Sequence, residues 1–209
     1  MHYFISLLLV IIGLHVSIQS VTVLVSKPRN YKSVLTVSNG MSWGSWGSMD
    51  LCPTGMYAAG FSLKVEEISY APWDDNTALN GIRLHCIDPS RALEVSYYDY
   101  ATVQSEVGSF GKWTEIKWCP FGILTAFQLR VDTYQVIADN SAANNIMFKC
   151  SHGSFLEGDG TDWGYWGDWS STCQGSGICG IMTRVQEHEG IWIDDTALND
   201  VRMYCCGSN

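Results

Sequence analysis

Hydrophobic and polar residues alternate strictly along one short stretch in the first half of the chain, GIRLHC at residues 81–86. A period of two places Ile82, Leu84 and Cys86 on one face of a β-strand and leaves His85 on the other, which predicts an exposed polar histidine. The stretch therefore predicts a half-buried strand that ends on a cysteine. The same alternation before a cysteine recurs at residues 145–150 and 200–205.

Three landmarks recur in the same order three times, which indicates an internal repeat. The first is a [Trp/Phe]-Gly-x-Trp segment, the second an alternating segment that ends in valine, and the third a segment that starts with Asp-x-x-Ala-x-Asn, shortened by one residue in its last copy, and ends on cysteine. Gly, Asn, Asp and Pro separate them and no long stretch has helical periodicity, so we expect an all-β protein. The landmarks lie at 43–46, 110–113 and 163–166; at 60–65, 126–131 and 180–185; and at 75–86, 139–150 and 194–205.

The N-terminus is an apolar run followed by small polar residues, MHYFISLLLVIIGLHVSIQS. This pattern predicts a signal peptide over residues 1–20, cleaved near Ser20, and hence a secreted, extracellular protein. The remaining residues, 21–209, have the length of a single domain. We expect it to hold three repeats, at about 21–90, 91–152 and 153–209.

The charge of the chain narrows the classes of partner. It carries 21 Asp and Glu against 12 Lys and Arg, a formal net charge of -9 at pH 7. An acidic protein is repelled by nucleic acid and by anionic membrane surfaces, so neither is an expected partner. The sequence does not specify an oligomeric state.

Eight cysteines in a secreted chain predict a disulfide framework rather than a metal site. The spacing between cysteines is similar in the three repeats, which favours one disulfide in each repeat and one additional bridge in the third. The alternative pairing of the last four cysteines, Cys173–Cys206 with Cys179–Cys205, is equally compatible with the spacing. The expected bridges are Cys52–Cys86, Cys119–Cys150, Cys173–Cys205 and Cys179–Cys206.

The [Trp/Phe]-Gly-x-Trp segments, the Asp-x-x-Ala-x-Asn strand starts and the cysteine-linked repeats together resemble the vitelline membrane outer layer protein 1 family, over about residues 21–206. The resemblance implies a β-prism of three Greek-key sheets about a pseudo-threefold axis, with the aromatic residues of the first landmark filling the shared interior. It also implies a structural or binding component of an extracellular coat, whose partners are coat glycoproteins or oligosaccharides. A weak transferase activity on chito-oligosaccharides is ascribed to the family.

Catalytic chemistry has little support in the motifs of the chain. No metalloprotease, nucleophile-elbow, phosphate-loop or dinucleotide motif is present, and we expect neither a metal nor a cofactor. Glycosyl transfer or hydrolysis would need two carboxylates about 5–10 Å apart. Asp75, Asp195 and Asp139 are the candidates, with Glu66 or Glu187 as the second carboxylate for the first two. We favour a non-catalytic protein and keep weak glycosyl transfer or hydrolysis as the alternative.

Aromatic and acidic residues that flank these candidates could contact sugars, since rings stack on a pyranose and carboxylates accept hydrogen bonds from its hydroxyls. A second interpretation is structural: Asp and Asn at the start of a strand commonly bond their own backbone in a turn, and recurrence in all three repeats favours that role. The candidate sugar-binding residues are Trp73, Asp74, Tyr134, Trp192 and Asp194.

Two further patterns give expectations about the surface. Lys64, Arg130 and Arg184 recur on the outer face beside an acidic or amide residue, which predicts cross-strand ion pairs. Trp118 and Trp169 lie outside the repeated positions and are therefore candidates for an exposed contact.

Overall fold

The computed structural model describes residues 29–67, 78–91, 100–132, 142–186 and 197–207 of the chain. Within these ranges the regular structure consists of fourteen β-strands and one short 3₁₀ helix, Pro89–Arg91. No helix in the described ranges is long and apolar enough to cross a membrane. The expectation of an all-β protein is confirmed.

Three long antiparallel hairpins carry the fold, and they are the alternating segments predicted from the sequence. In each hairpin the residues predicted to face inward lie opposite one another across the two strands, for example Leu63 opposite Ile82 and Leu129 opposite Ile146. The inward side chains of all three hairpins therefore meet in one core. The hairpins are β4 (Tyr57–Val65) with β5 (Leu79–Ile87), β9 (Leu124–Val131) with β10 (Ala143–Cys150), and β13 (Ser176–Val185) with β14 (Leu198–Gly207).

Eight shorter strands complete three sheets around these hairpins. Sheet A has the order β1-β14-β13-β2, with β3 also paired to β13; sheet B has the order β6-β5-β4-β7, with β8 also paired to β4; sheet C has the order β11-β10-β9-β12. The short strands are β1 (Ser33–Leu35), β2 (Ser45–Trp46), β3 (Asp50–Leu51), β6 (Ala101–Gln104), β7 (Lys112–Trp113), β8 (Lys117–Trp118), β11 (Phe155–Glu157) and β12 (Tyr165–Trp166).

The sheets do not coincide with the sequence repeats, because each tryptophan segment joins the hairpin of another repeat. Trp113 pairs with Lys64 of the preceding repeat, and Trp166 pairs with Arg130. The ring closes through the N-terminal part of the chain, where Trp46 pairs with Arg184. Every sheet therefore contains strands from two repeats, and no repeat forms a complete sheet by itself.

The interior is filled by the alternating aliphatic and phenylalanine side chains of the hairpins. Phe61, Phe127 and Phe148 are almost fully buried, and the Phe61 and Phe148 rings lie 4.7 Å apart between centroids. Burial of apolar area of this kind is the main favourable contribution to folding. The inner faces predicted from the alternation are confirmed.

The tryptophans of the first landmark do not fill this interior, so that expectation is wrong. Trp43 is 51% exposed, and the second tryptophan of each segment is half-buried on the outside of a sheet. The reason is that these segments form short strands at the sheet edges. Their rings are covered by arginine side chains instead, in cation–π contacts. The guanidinium carbons of Arg83, Arg202 and Arg130 lie 3.8, 4.1 and 5.8 Å from the ring centroids of Trp113, Trp46 and Trp166.

The glycine of each [Trp/Phe]-Gly-x-Trp segment explains why the motif recurs. Gly44, Gly111 and Gly164 have φ angles of 71°, 83° and 71°, in the left-handed region that L-residues avoid. A Cβ at Gly111 would also lie 2.5 Å from the carbonyl carbon and oxygen of Val65 in β4. The motif is therefore a turn packed against a hairpin strand. Glycine is required there for its left-handed backbone conformation and because a side chain would clash with that strand.

The recurring basic residues serve the same turns, and the prediction of a cross-strand ion pair is confirmed for Arg130. The Lys64 ammonium donates to the carbonyls of Gly108 and Ser109, at 2.6 and 3.0 Å. The Arg184 guanidinium donates to the Gly44 carbonyl at 3.0 Å. Arg130 donates to the Gly164 carbonyl at 3.2 Å and forms its ion pair with Asp162, also at 3.2 Å. A basic side chain thus anchors each turn through backbone oxygens.

Disulfides link neighbouring sheets in a ring. Cys52 follows β3 and donates its N–H to Cys179 of sheet A, yet its sulfur bonds Cys86 in sheet B. The other two repeat disulfides connect sheet B to sheet C and sheet C to sheet A in the same way, because Cys119 and Cys173 are hydrogen-bonded to one sheet and disulfide-bonded to the next. The last four cysteines have the first of the two expected pairings. The bonds are Cys52–Cys86, Cys119–Cys150, Cys173–Cys205 and, within sheet A, Cys179–Cys206.

Replacing Gly111 by alanine is expected to destabilise the protein by about 3 kcal/mol, the sum of left-handed strain and a backbone clash. Gly153 is a matched control, since its φ is 92° and a Cβ there would meet nothing within 4 Å. Gly153→Ala should cost only the conformational strain, about 1–2 kcal/mol. Urea unfolding of both variants measures the difference, and equal losses would show that the contact with Val65 is unimportant.

Candidate functional site

The sugar-binding and catalytic candidates of the sequence analysis lie outside the described residues and stay predictions. The hairpin strands that flank them end at the pairs Val65–Leu79, Val131–Ala143 and Val185–Leu198. Each group of candidates therefore belongs to the connection between the two strands of one hairpin. These residues are Trp73, Asp74, Asp75, Tyr134, Asp139, Trp192, Asp194 and Asp195. Nothing among the described residues adds to a glycosyl-transfer role for Asp75 or Asp195.

The asparagine of each Asp-x-x-Ala-x-Asn segment is a structural residue. Asn80, Asn144 and Asn199 are fully buried, and each side-chain amide donates to the carbonyl of the alanine two positions earlier, at 3.5, 3.4 and 3.1 Å. Two of those alanines, Ala78 and Ala197, adopt φ angles of 51° and 45°. Hydrogen bonding of a buried amide to a turn carbonyl fixes the start of the strand. The structural interpretation, in which these residues fix a turn at the start of the strand, therefore holds for the asparagines.

The outer faces of the sheets hold the ring clusters on which a ligand could stack. In sheet B this cluster surrounds His85. The His85 Nε2 lies 3.1 Å from the Ser62 hydroxyl, and its ring centroid is 5.1 Å from that of Tyr100 and 5.7 Å from that of Trp118. His85 is only 3% exposed, so the expectation of an exposed histidine is wrong. The alternation places His85 on the outer face correctly, but rings from the next repeat cover it.

Burial controls the protonation of His85. Desolvation, with a smaller repulsion from the Arg83 charge, lowers the pKa of His85 from 6.5 to about 4. The imidazole is therefore neutral at physiological pH. A neutral ring can accept a hydrogen bond from the Ser62 hydroxyl or donate one to it, so the contact is satisfied in either tautomer. Ser62 is itself 3% exposed. The Ser62–His85 pair is therefore packed under neighbouring side chains, and the Ser62 hydroxyl is not accessible as a nucleophile.

The position of His85 has an equivalent in each of the other two sheets, namely the residue just before the repeat cysteine. In sheet A this residue is Tyr204, which is 5% exposed and has the Tyr31 ring at 4.8 Å. In sheet C it is Lys149, which lies opposite Phe155 of β11. Sheets A and B thus have a ring buried at this position, whereas sheet C has an amine.

Two rings of sheet C are exposed. Phe155 is 57% and Trp169 is 39% exposed, and their centroids lie 5.4 Å apart with the planes tilted by 49°. Trp169 is exposed as the sequence predicts, whereas Trp118 is half-buried against His85. Phe155 is not among the candidates predicted from the sequence. Its signal is the alternation at residues 154–157, which directs Phe155 and Glu157 outward and Leu156 inward.

Metal chemistry finds no support in the part of the chain that the structure describes. No group of three or more His, Cys, Asp or Glu side chains is placed there to hold a metal ion. The cysteines of the described ranges are all disulfide-bonded.

The three disulfide-linked antiparallel sheets define the molecule as a β-prism, the fold of a solved plant protein, Calystegia sepium agglutinin. That chain is 12% identical, with a TM-score of 0.51, and the match covers 87% of this chain and 100% of the agglutinin. At this identity the likeness shows the fold alone.

Sequence comparison gives the family. The model of the vitelline membrane outer layer protein I (VOMI) family matches residues 33–208, from the first strand to the last. The mouse vitelline membrane outer layer protein 1 homolog is 46% identical over 183 residues, and the human homolog is 48% identical over 181 residues. These matches cover 87% and 86% of both chains. The chain belongs to the vitelline membrane outer layer protein I family, and its four disulfides fit an extracellular protein.

Acid pH is expected to destabilise the protein through His85. The unfolded chain binds a proton near pH 6.5 while the native site does not until about pH 4, so stability falls as the pH drops through this window. The loss attributable to His85 is about 2–3 kcal/mol.

The variant His85→Phe keeps a ring between Tyr100 and Trp118 but cannot be protonated, so it isolates this effect from that of the carboxylates. Urea unfolding of both proteins between pH 7.5 and pH 4 should show the wild type losing stability relative to the variant. Parallel pH profiles would contradict a neutral, buried His85.

Proposed function

We propose that the protein is a secreted, carbohydrate-binding component of an extracellular coat. The observation that carries this proposal is the family match over residues 33–208, which spans every described strand and links the chain to proteins named for the outer layer of the vitelline membrane. A coat component is a binding and building molecule, and it needs no catalytic constellation. The disulfide ring supports the same role, because covalent links between all three sheets resist unfolding outside the cell.

The carbohydrate part of the proposal has separate support. A protein with the same fold is an agglutinin, and the outer faces of this chain present aromatic rings beside charged groups. Rings that stack on the apolar face of a sugar, with nearby polar groups for its hydroxyls, are the elements of a sugar site. The net charge of -9 favours uncharged glycans over anionic ones, since an acidic protein is repelled by sulfated or sialylated chains.

Secretion is tested by expressing the full chain in animal cells. The protein should accumulate in the medium with its N-terminus near residue 21, as mass spectrometry would show. The variant Leu8→Arg places a charge in the apolar run and should stay in the cell, while the conservative Leu8→Ile should be exported normally. An intact N-terminus or retention of the wild type would argue against the secreted role.

Carbohydrate binding is tested on a glycan array with the disulfide-bonded protein, at low and at moderate salt. We expect binding to uncharged oligosaccharides that persists in salt, because stacking and hydrogen bonding are short-range and are not screened as charge attraction is. The same protein, reduced and alkylated, is the control for non-specific adhesion. A blank array, together with no heat on titration of millimolar oligosaccharide, would refute the carbohydrate part of the proposal.

A further inference from the structure

We infer that the Phe155–Trp169 pair on the outer face of sheet C is the stacking platform for a pyranose ring of an uncharged glycan. This rests on the proposed carbohydrate-binding function and gives it a location on the face of a sheet, away from the hairpin connections that the sequence singles out. The position just before the repeat cysteine differs among the three related sheets. In sheets A and B one ring of the pair is buried, Tyr204 or His85, beneath a partly exposed tyrosine, whereas in sheet C both rings, Phe155 and Trp169, are exposed.

The residue opposite this position also differs between the sheets. Gly60 lies opposite His85 in sheet B, and a Cβ there would sit 2.6 Å from the Trp118 ring, so glycine allows that ring to lie flat against the sheet. Sheet A also has a glycine here, opposite Tyr204 and beneath Leu51. In sheet C the residue opposite Lys149 is Ala126. Ala126 carries a Cβ where the other two sheets have only a hydrogen, and it is 2% exposed.

The chain around Trp169 is altered in the same region. Cys52 and Cys119 follow the second tryptophan of their motifs by six residues, whereas Cys173 follows Trp166 by seven. The residue after Trp169 is fixed to β9 at two points. The Ser170 N–H donates to the Phe127 carbonyl at 2.8 Å, and the Ser170 hydroxyl accepts from the Phe127 N–H at 3.1 Å. Trp169 is thus held at the surface by a fixed backbone, and pre-organisation of this kind lowers the entropic cost of binding.

Polar groups border the ring pair in the positions that sugar hydroxyls require. Lys149 lies directly across the strand pair from Phe155, on the same face of the sheet. Glu157 follows Phe155 by two residues, which places it on that face about 6–7 Å along the strand. An ammonium donates and a carboxylate accepts, so hydroxyls on two edges of a stacked ring have complementary partners.

The size of the platform favours a sugar over a protein. Two partly exposed rings present roughly 200 Å² of apolar surface, about the footprint of one or two sugar rings. A stable protein interface buries about 800 Å² on each partner, and larger apolar patches mark such surfaces. A lipid surface is also unsuitable, since Glu157 and Asp168 are exposed beside the rings and the whole chain is acidic.

The test is calorimetric titration of the disulfide-bonded protein with mannotriose and with triacetylchitotriose. Phe155→Ala and Trp169→Ala should each weaken binding of whichever trisaccharide binds by about tenfold, while Trp169→Phe, which keeps a ring, should retain most of the affinity. Phe121→Ala and Tyr165→Ala are matched controls, because Phe121 is 73% and Tyr165 is 81% exposed and neither belongs to the pair. All of these side chains are at the surface, and thermal unfolding verifies that the variants fold.

A second readout follows the tryptophan itself. The indole N–H resonance of Trp169, assigned by its loss in Trp169→Phe, should shift on addition of the sugar. If the wild type binds a trisaccharide but the two alanine variants bind equally well and this resonance does not move, the inference is overturned while the proposed function stands. If the wild type binds neither trisaccharide and the glycan array is blank, the proposed function falls, and the inference with it.

Discussion

The pairing of the N-terminal segment with the C-terminal hairpin is the constraint on which the whole fold depends. Each sheet needs strands from two repeats, and the last sheet is completed only when β1 and β2 reach β14 and β13. The hydrogen bond from Arg184 to the Gly44 carbonyl spans 140 residues of sequence. Contacts of such separation must overcome a large loss of chain entropy before they contribute, so the ring of sheets forms as one cooperative unit. The three inter-sheet disulfides reduce this cost in the finished protein by shortening the free chain between sheets.

Features set by neighbouring residues within one repeat were predictable from the sequence, whereas contacts between repeats were not. The hairpins, their inner faces and the cysteine pairs follow from patterns within a few tens of residues, and they were predictable. The exposure of His85 and the interior position of the tryptophans were predicted wrongly. In both cases the true neighbour comes from another repeat: Tyr100 and Trp118 cover His85, and Arg83 lies over Trp113. A local pattern predicts on which face of a strand a side chain lies, but it does not predict which side chains from other repeats cover that face.

Recurrence also separates structural residues from functional candidates. The buried asparagines, the left-handed glycines and the basic residues on their turns recur in all three repeats because the backbone needs each of them three times. Positions that differ between repeats are free of that requirement. The exchange of glycine for Ala126 and the additional residue before Cys173 are two such differences, and they lie in β9 and in the segment that is hydrogen-bonded to it. Departures from the internal symmetry are therefore more informative about binding than the repeated motifs themselves.

Several of the aromatic rings that the structure describes are unavailable for stacking. Arginines lie over Trp46 and Trp113, and other rings cover His85 and Tyr204. A ring face that already contacts a cation or another ring has no free apolar surface to offer a sugar. A single platform would make the isolated chain monovalent, and a monovalent binder cannot cross-link a coat, because cross-linking requires two simultaneous contacts. To act as a structural component of a coat, the chain would then need a second binding surface. The three hairpin connections, which carry the Asp residues predicted as candidates, are the surfaces to test for it.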